Sequence, residues 1–150
     1  MVIHTNDAPS AFTRLVDMGI EPYLVSSTVE GILAQRLVRR LCTACRSARI
    51  PDPDEPPRDL SIPDSHVLYE PRGCRECHYS GYSGRIAIFE LLTTSSQIRR
   101  LCMDQAPAGE IRSVAVQQGM QTLREMGWQR VLAGETSLEE LVRVCPVECD

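Results

Sequence analysis

With 150 residues, 43% hydrophobic and 24% charged, the chain has room for one ordinary domain or two small ones. A formal charge of −4 argues against non-specific nucleic-acid binding, which needs a basic surface to displace counterions. All 16 basic residues are arginine, so no G-x-x-x-x-G-K-S/T phosphate loop, lysine Schiff base or lysine general base exists in these residues.

The opening MVIHTNDAPSAF has neither the basic nor the apolar region of a secretory signal. No run approaches the roughly eighteen apolar residues of a membrane span. Seven cysteines cannot all pair, which suits reduced thiols and cytoplasmic residence.

Residues 1–41 read as amphipathic. Asn6 or Asp7 is placed to cap a helix carrying Phe12, Leu15, Val16 and Met18 on one face, ended by Gly19. Pro22 suits the first turn of a second helix, with Val25, Val29, Ile32 and Leu33 at helical spacing. AQRLVRRLC fits a continuing helix or a strand equally well. Five arginines (Arg36, Arg39, Arg40, Arg46, Arg49) lie between Gly31 and Ile50 with no acid among them.

Residues 42–83 change character. Six of the ten prolines fall between Pro51 and Pro71, so no long helix forms there. Two C-x-x-C pairs, Cys42/Cys45 and Cys74/Cys77, bracket this stretch with 28 residues between them. Two such claws supply the four sulfurs of a saturated tetrahedral zinc site, structural because no position stays open for substrate. Loop closure costs grow only logarithmically, so the long insertion is tolerable. The alternatives are a thioredoxin-like redox pair, which belongs at a strand-to-helix junction, and an iron–sulfur cluster. Arg46 and Arg75, beside the claws, are placed to favour thiolates, whereas His66 and His78 read as solvated loop residues.

Residues 84–150 begin with GRIAIFELL, a strand by its alternation. Short helices follow. Ser95 or Ser96 caps one bearing Ile98, Leu101 and Cys102, with Cys102 as a small core residue. Ile111, Val114 and Ala115 mark the next, and Leu123, Met126 and Val131 a third. Thr136-Ser-Leu-Glu139 is a capping box for a last helix with Leu138, Leu141 and Val142 inward. Cys145 and Cys149 read as tail thiols, with a metal or redox pair as the alternative.

With these residues in view, the sequence resembles the C-terminal portion of the type II secretion and type IV pilus assembly ATPases, the general secretion pathway protein E family. HTNDAPSAFTRLVDMGIEPYLVSSTVEGILAQRLVRRLCTAC is similar to that family's histidine box and the end of its RecA-like core. GCRECHYSGYSGRIAIFELL resembles its second cysteine pair and glycine–arginine strand, and GMQTLREMGWQRVLAGETSLEELVRVC its C-terminal helical segment. Ala87 and Thr43 stand where the family usually has glycine and often has proline.

The resemblance implies an α+β, mostly helical chain. It would comprise the truncated end of a RecA-like core over 1–41, a tetracysteine zinc subdomain over 42–83, and a strand with a C-terminal helical subdomain over 84–150. It implies zinc on Cys42, Cys45, Cys74 and Cys77, and a catalytic His4 near the γ-phosphate of ATP–Mg²⁺. In the full-length family protein it implies a cytoplasmic homo-hexamer that engages inner-membrane platform proteins and hydrolyses ATP to drive pilus or pseudopilus assembly, without nucleic acid. The phosphate loop, Walker B acid and aspartate box ordinarily precede the histidine box. This chain alone is therefore expected to be a fragment that does not hydrolyse ATP. A free-standing zinc-stapled interaction module, using Arg36, Arg39 and Arg40, is the competing reading, and a dithiol redox protein the third.

Overall fold

Among the described residues, six α-helices and four strands make an α+β architecture in which helix outweighs strand. A computed structural model describes residues 5–52, 59–63 and 66–146. Two compact units emerge, each assembled from two separate stretches of chain. The first comprises Met1–Gln35 and Phe89–Leu123, the second Arg36–Ile88 and Arg124–Asp150.

In the first unit, α1 (Pro9–Asp17) opens with proline at a position where no amide hydrogen is needed. Its cap residue is Ala8, which has no side chain to satisfy the free N–H groups. Two carboxylates supply the need. Asp7 Oδ1 accepts from the Ser10 N–H at 2.8 Å, and Glu90 Oε1 accepts from the Ala8 N–H at 2.7 Å. Asp7 also pairs with Arg112. Gly19, at φ +87°, ends the helix, with its N–H on the Val16 carbonyl and that of Ile20 on Leu15.

The second helix, α2 (Pro22–Thr28), starts at Pro22 as the sequence suggests but ends earlier. Val29 is extended, and Ile32 and Leu33 belong to a strand, β1 (Gly31–Leu41). Ile32 and Ala34 pack against the core while Leu33 and Leu37 face out. That is the period of two of a strand rather than the helical period of 3.6. β1 therefore also decides AQRLVRRLC in favour of strand.

A short antiparallel hairpin comes next in sequence, formed by β2 (Ser47–Arg49) and β3 (Leu68–Glu70) in the second unit. β4 (Tyr82–Thr93) pairs with β1. The Thr94 N–H reaches the Glu30 carbonyl and the Cys42 N–H the Gly81 carbonyl, so the pairing is antiparallel. Along β4, Ile88, Glu90 and Leu92 are buried and Phe89 and Leu91 exposed. The first unit is completed by α3 (Ser96–Met103), capped by Ser95 Oγ on the Ile98 N–H at 3.3 Å, and α4 (Ala108–Gln117). Phe12, Leu15, Val25, Leu92, Ile98, Cys102 and Ile111 form its core. Cys102 is thus the core residue expected, and burial pushes its thiol pKa up.

Glu90 is 2% exposed, and its other oxygen accepts from the Leu123 N–H at 3.1 Å. One buried carboxylate thus satisfies two backbone amides. Glu90→Ala strands both, and the expected cost is about 2–4 kcal/mol in urea denaturation. A loss below about 0.5 kcal/mol would show that water replaces the carboxylate freely.

The second unit holds the hairpin, α5 (Leu123–Leu132) from Arg124 onward, and α6 (Leu138–Val144). Trp128 is buried and donates its indole N–H to the Ser61 carbonyl at 3.1 Å. Arg124 pairs with Asp59, whose carboxyl pKa it lowers. The described part of the proline-rich connection is therefore fastened to α5. His66, expected in solvent, donates Nε2–H to the Leu132 carbonyl at 2.8 Å.

The last helix begins one residue later than the expected capping box. Ser137 Oγ accepts from the Glu140 N–H, while Thr136 Oγ1 donates to the Arg39 carbonyl at 2.8 Å. The inward face shifts accordingly. Leu141 and Glu140 are fully buried, Leu138 is half-buried and Val142 is exposed.

Candidate metal centre

Cys42 follows directly on β1, and the chain turns at once, with the Cys45 and Arg46 N–H groups both on the Cys42 carbonyl. The second claw is a tight 3₁₀ turn, Arg75–Cys77, continued by His78 and Tyr79 in the left-handed region. Gly73, at φ +99°, enters this turn. A Cβ there would lie 2.7 Å from the Tyr79 carbonyl oxygen, so only glycine lets the backbone close so tightly.

The two claws converge. The Sγ atoms of Cys42, Cys45, Cys74 and Cys77 all lie within 4.8 Å of one another. Cys42–Cys74 is 3.9 Å, and Cys45–Cys77 and Cys74–Cys77 are each 3.8 Å. Sulfurs at about 2.3 Å from one tetrahedral ion would be about 3.8 Å apart, so the cage fits a single zinc-sized ion. The separations are far beyond a disulfide bond, and all four cysteines are free. A multi-iron cluster would spread its ligands over separate irons. Among the described residues the next element after Cys45 is a strand, β2, and not a helix, which removes the strand-to-helix setting of a thioredoxin-like pair there.

Backbone amides already point at the sulfurs. Gly73 donates to Cys45 Sγ at 3.3 Å, and both Cys74 and Gly81 donate to Cys77 Sγ at 3.2 Å. Burial works against a thiolate at Cys77. The two N–H groups, with hydrogen bonds from the Cys74 and Cys45 thiols, overcome it and bring the pKa down to about 6. Cys45 moves the other way, to about 11, because burial and the neighbouring sulfurs outweigh its single N–H donor. A divalent ion bound by the four sulfurs would displace their thiol protons.

Among the described residues this is the cluster of cysteine, histidine and acidic side chains with metal-binding geometry. His78 is exposed, and His66 is engaged with Leu132. Arg46 does not turn to the thiolates. Its guanidinium stacks on Tyr69, 4.6 Å from the ring centroid, and donates to the Gly134 carbonyl. His4 and Cys149 lie outside the described residues, whereas Cys145 is a buried residue at the end of α6 rather than a tail thiol.

Sequence reasoning missed Glu140. Its fully buried carboxylate receives the Arg39 N–H and Nε at 2.9 Å each, Arg39 Nη2 at 2.7 Å, and Arg143 at 2.9 and 2.7 Å. Arg39 also lies over the Tyr82 ring, 4.1 Å from its centroid. This arginine, which the competing sequence reading offers to a partner, makes these contacts within the chain. A glutamate one position beyond the anticipated box offered no sequence signal for burial.

The family described as Type II/IV secretion system protein matches residues 1–143, and the chain belongs to it. Among curated relatives, it is 41% identical over 148 residues to the type IV pilus assembly ATPase TfpB of Acinetobacter baylyi, covering 97% of this chain and 25% of that protein. It is 44% identical to the type IV pilus assembly ATPase PilB of Thermus thermophilus, over 93% of this chain and 16% of the relative. It is 42% identical to the type II secretion system protein E of Dickeya dadantii, over 97% and 29% respectively. The chain thus spans between 16% and 29% of the length of these relatives. Among the described residues, no helix is long and apolar enough to cross a membrane.

Proposed function

We propose that these 150 residues are the zinc-bearing and helical part of an ATP-driven motor for type II secretion or type IV pilus assembly. The four cysteines would hold one structural zinc, and the observation that carries the reading is their tetrahedral spacing in a chain of this family. On this reading residues 1–41 end a RecA-like core, 42–83 form the metal module and 84–150 the strand and helical remainder. His4 would approach the γ-phosphate of ATP–Mg²⁺ in the assembled motor. That motor would be a cytoplasmic homo-hexamer, held at the inner membrane by platform proteins.

The sequence contains no lysine, so the phosphate-cradling lysine of a P-loop is not among these residues. Phosphoryl transfer depends almost wholly on such positioning groups. The purified chain is therefore expected to carry one zinc, by metal analysis, and to show no ATPase activity above background. Turnover that co-purifies with the chain through successive columns would overturn the second half of this statement. A metal-free folded chain with freely alkylated cysteines would overturn the first.

A further inference from the structure

The end of α5 and the turn into α6, residues 132–137, collect hydrogen bonds from the segments that frame the four cysteines. Leu41, immediately before Cys42, donates its N–H to the Glu135 carbonyl at 2.8 Å. Arg46, immediately after Cys45, donates to the Gly134 carbonyl. His66, in the connection between the claws, donates to Leu132, and the Tyr82 hydroxyl lies 2.7 Å from Ser137 Oγ. The contact is close. Gly134 sits at φ +70°, and a Cβ there would lie 2.8 and 2.9 Å from two carbons of the Tyr69 ring. Tyr69 in turn stacks on Arg46 and stands opposite Ala48 in the hairpin.

Leu41 and Arg46 are the two residues that flank the first claw, so their places depend on how that claw is held. With a metal, Cys42 and Cys45 are fixed by two strong bonds to the same ion as Cys74 and Cys77. Without one, the claw is held to its partner by weak sulfur hydrogen bonds, so it opens locally at lower cost. We infer that the tetracysteine centre acts as a clamp on the α5–α6 turn. The bound ion sets Leu41 and Arg46 where they grip Glu135 and Gly134, with Arg46 as the positioning residue. This rests on the reading that the four cysteines bind zinc, and it gives that zinc a defined dependent: the docking of the C-terminal helix pair within the second unit.

Hydrogen–deuterium exchange tests it on the intact 150-residue chain in zinc-loaded and chelator-treated forms, beside zinc-loaded Arg46→Ala. Chelation is expected to speed exchange at Leu41 and across 133–135 at least about tenfold, with α3 amides changing less than about twofold. Arg46→Ala should keep one zinc per chain yet show faster exchange over 133–135, since it loses a charged hydrogen bond to the turn. The clamp is overturned if zinc is bound but the turn exchanges equally with and without it, or if every region speeds up together. It is equally overturned if zinc-loaded Arg46→Ala protects the turn as well as the parent chain does. In these cases the metal site itself stands. A chain that takes up no zinc overturns both readings.

Discussion

Replacing Cys77 by serine is expected to abolish zinc retention and, with it, cooperative melting of the second unit. Of the four cysteines proposed to hold zinc, Cys77 receives the most backbone N–H groups at its sulfur. Its sulfur is buried, receives two backbone N–H groups and lies 3.8 Å from both Cys45 and Cys74. A serine hydroxyl is a harder donor that does not ionise near neutral pH, so the ion loses a quarter of its shell. Structural zinc contributes on the order of 10–16 kcal/mol in small peptides, comparable with the whole stability of a domain. Metal analysis with thermal denaturation, read beside a chelator-treated parent, checks this. Zinc retained at full stoichiometry with an unchanged melting curve would be the contrary result.

Glu140→Ala is expected to destabilise the chain by about 3 kcal/mol at neutral pH. Burial alone would raise the Glu140 pKa, but hydrogen bonds from Arg143 and Arg39 prevail and bring it from 4.5 to about 2. That depression is worth about 3 kcal/mol by proton linkage. Arg39 and Arg143 keep 42% and 58% of their side-chain surface exposed, so they rehydrate once the carboxylate is gone. This keeps the loss from growing further. The sign is fixed by the direction of the shift. A carboxyl with a lowered folded pKa stabilises fully above its unfolded value of about 4.5, and that contribution drains away as the pH falls toward 2. The gap between parent and variant in urea denaturation should therefore be widest at pH 6–7 and shrink by more than about half near pH 3. A gap independent of pH would mean that Glu140 acts through packing rather than charge.

Much of the candidate site was legible because it is written in residue types that do little else at that spacing. Two C-x-x-C pairs around a proline-rich stretch specify four converging sulfurs whatever the intervening fold. Pro22 at a helix start, Ser95 at a cap and the alternation of β4 were equally plain, since each reflects local backbone chemistry. What stayed hidden was decided by partners remote in sequence. Val29, Ile32 and Leu33 satisfy a helical spacing on paper, yet β4 offers pairing partners that outweigh it. The β2–β3 hairpin is too short to show a period. Trp128 and Glu140 are buried because a loop carbonyl and two arginines meet them there. The one-residue shift of the last cap, from Thr136 to Ser137, follows because Thr136 is already taken by the Arg39 carbonyl.

The interleaving of the two units along the chain bears on how the molecule is made. Neither unit is contiguous, so no single truncation isolates one of them whole. During synthesis both pairs of cysteines leave the ribosome well before Gly134 and Glu140 exist to receive Arg46 and Arg39. An ion captured early would preserve the hairpin in a receptive shape until the final helices emerge.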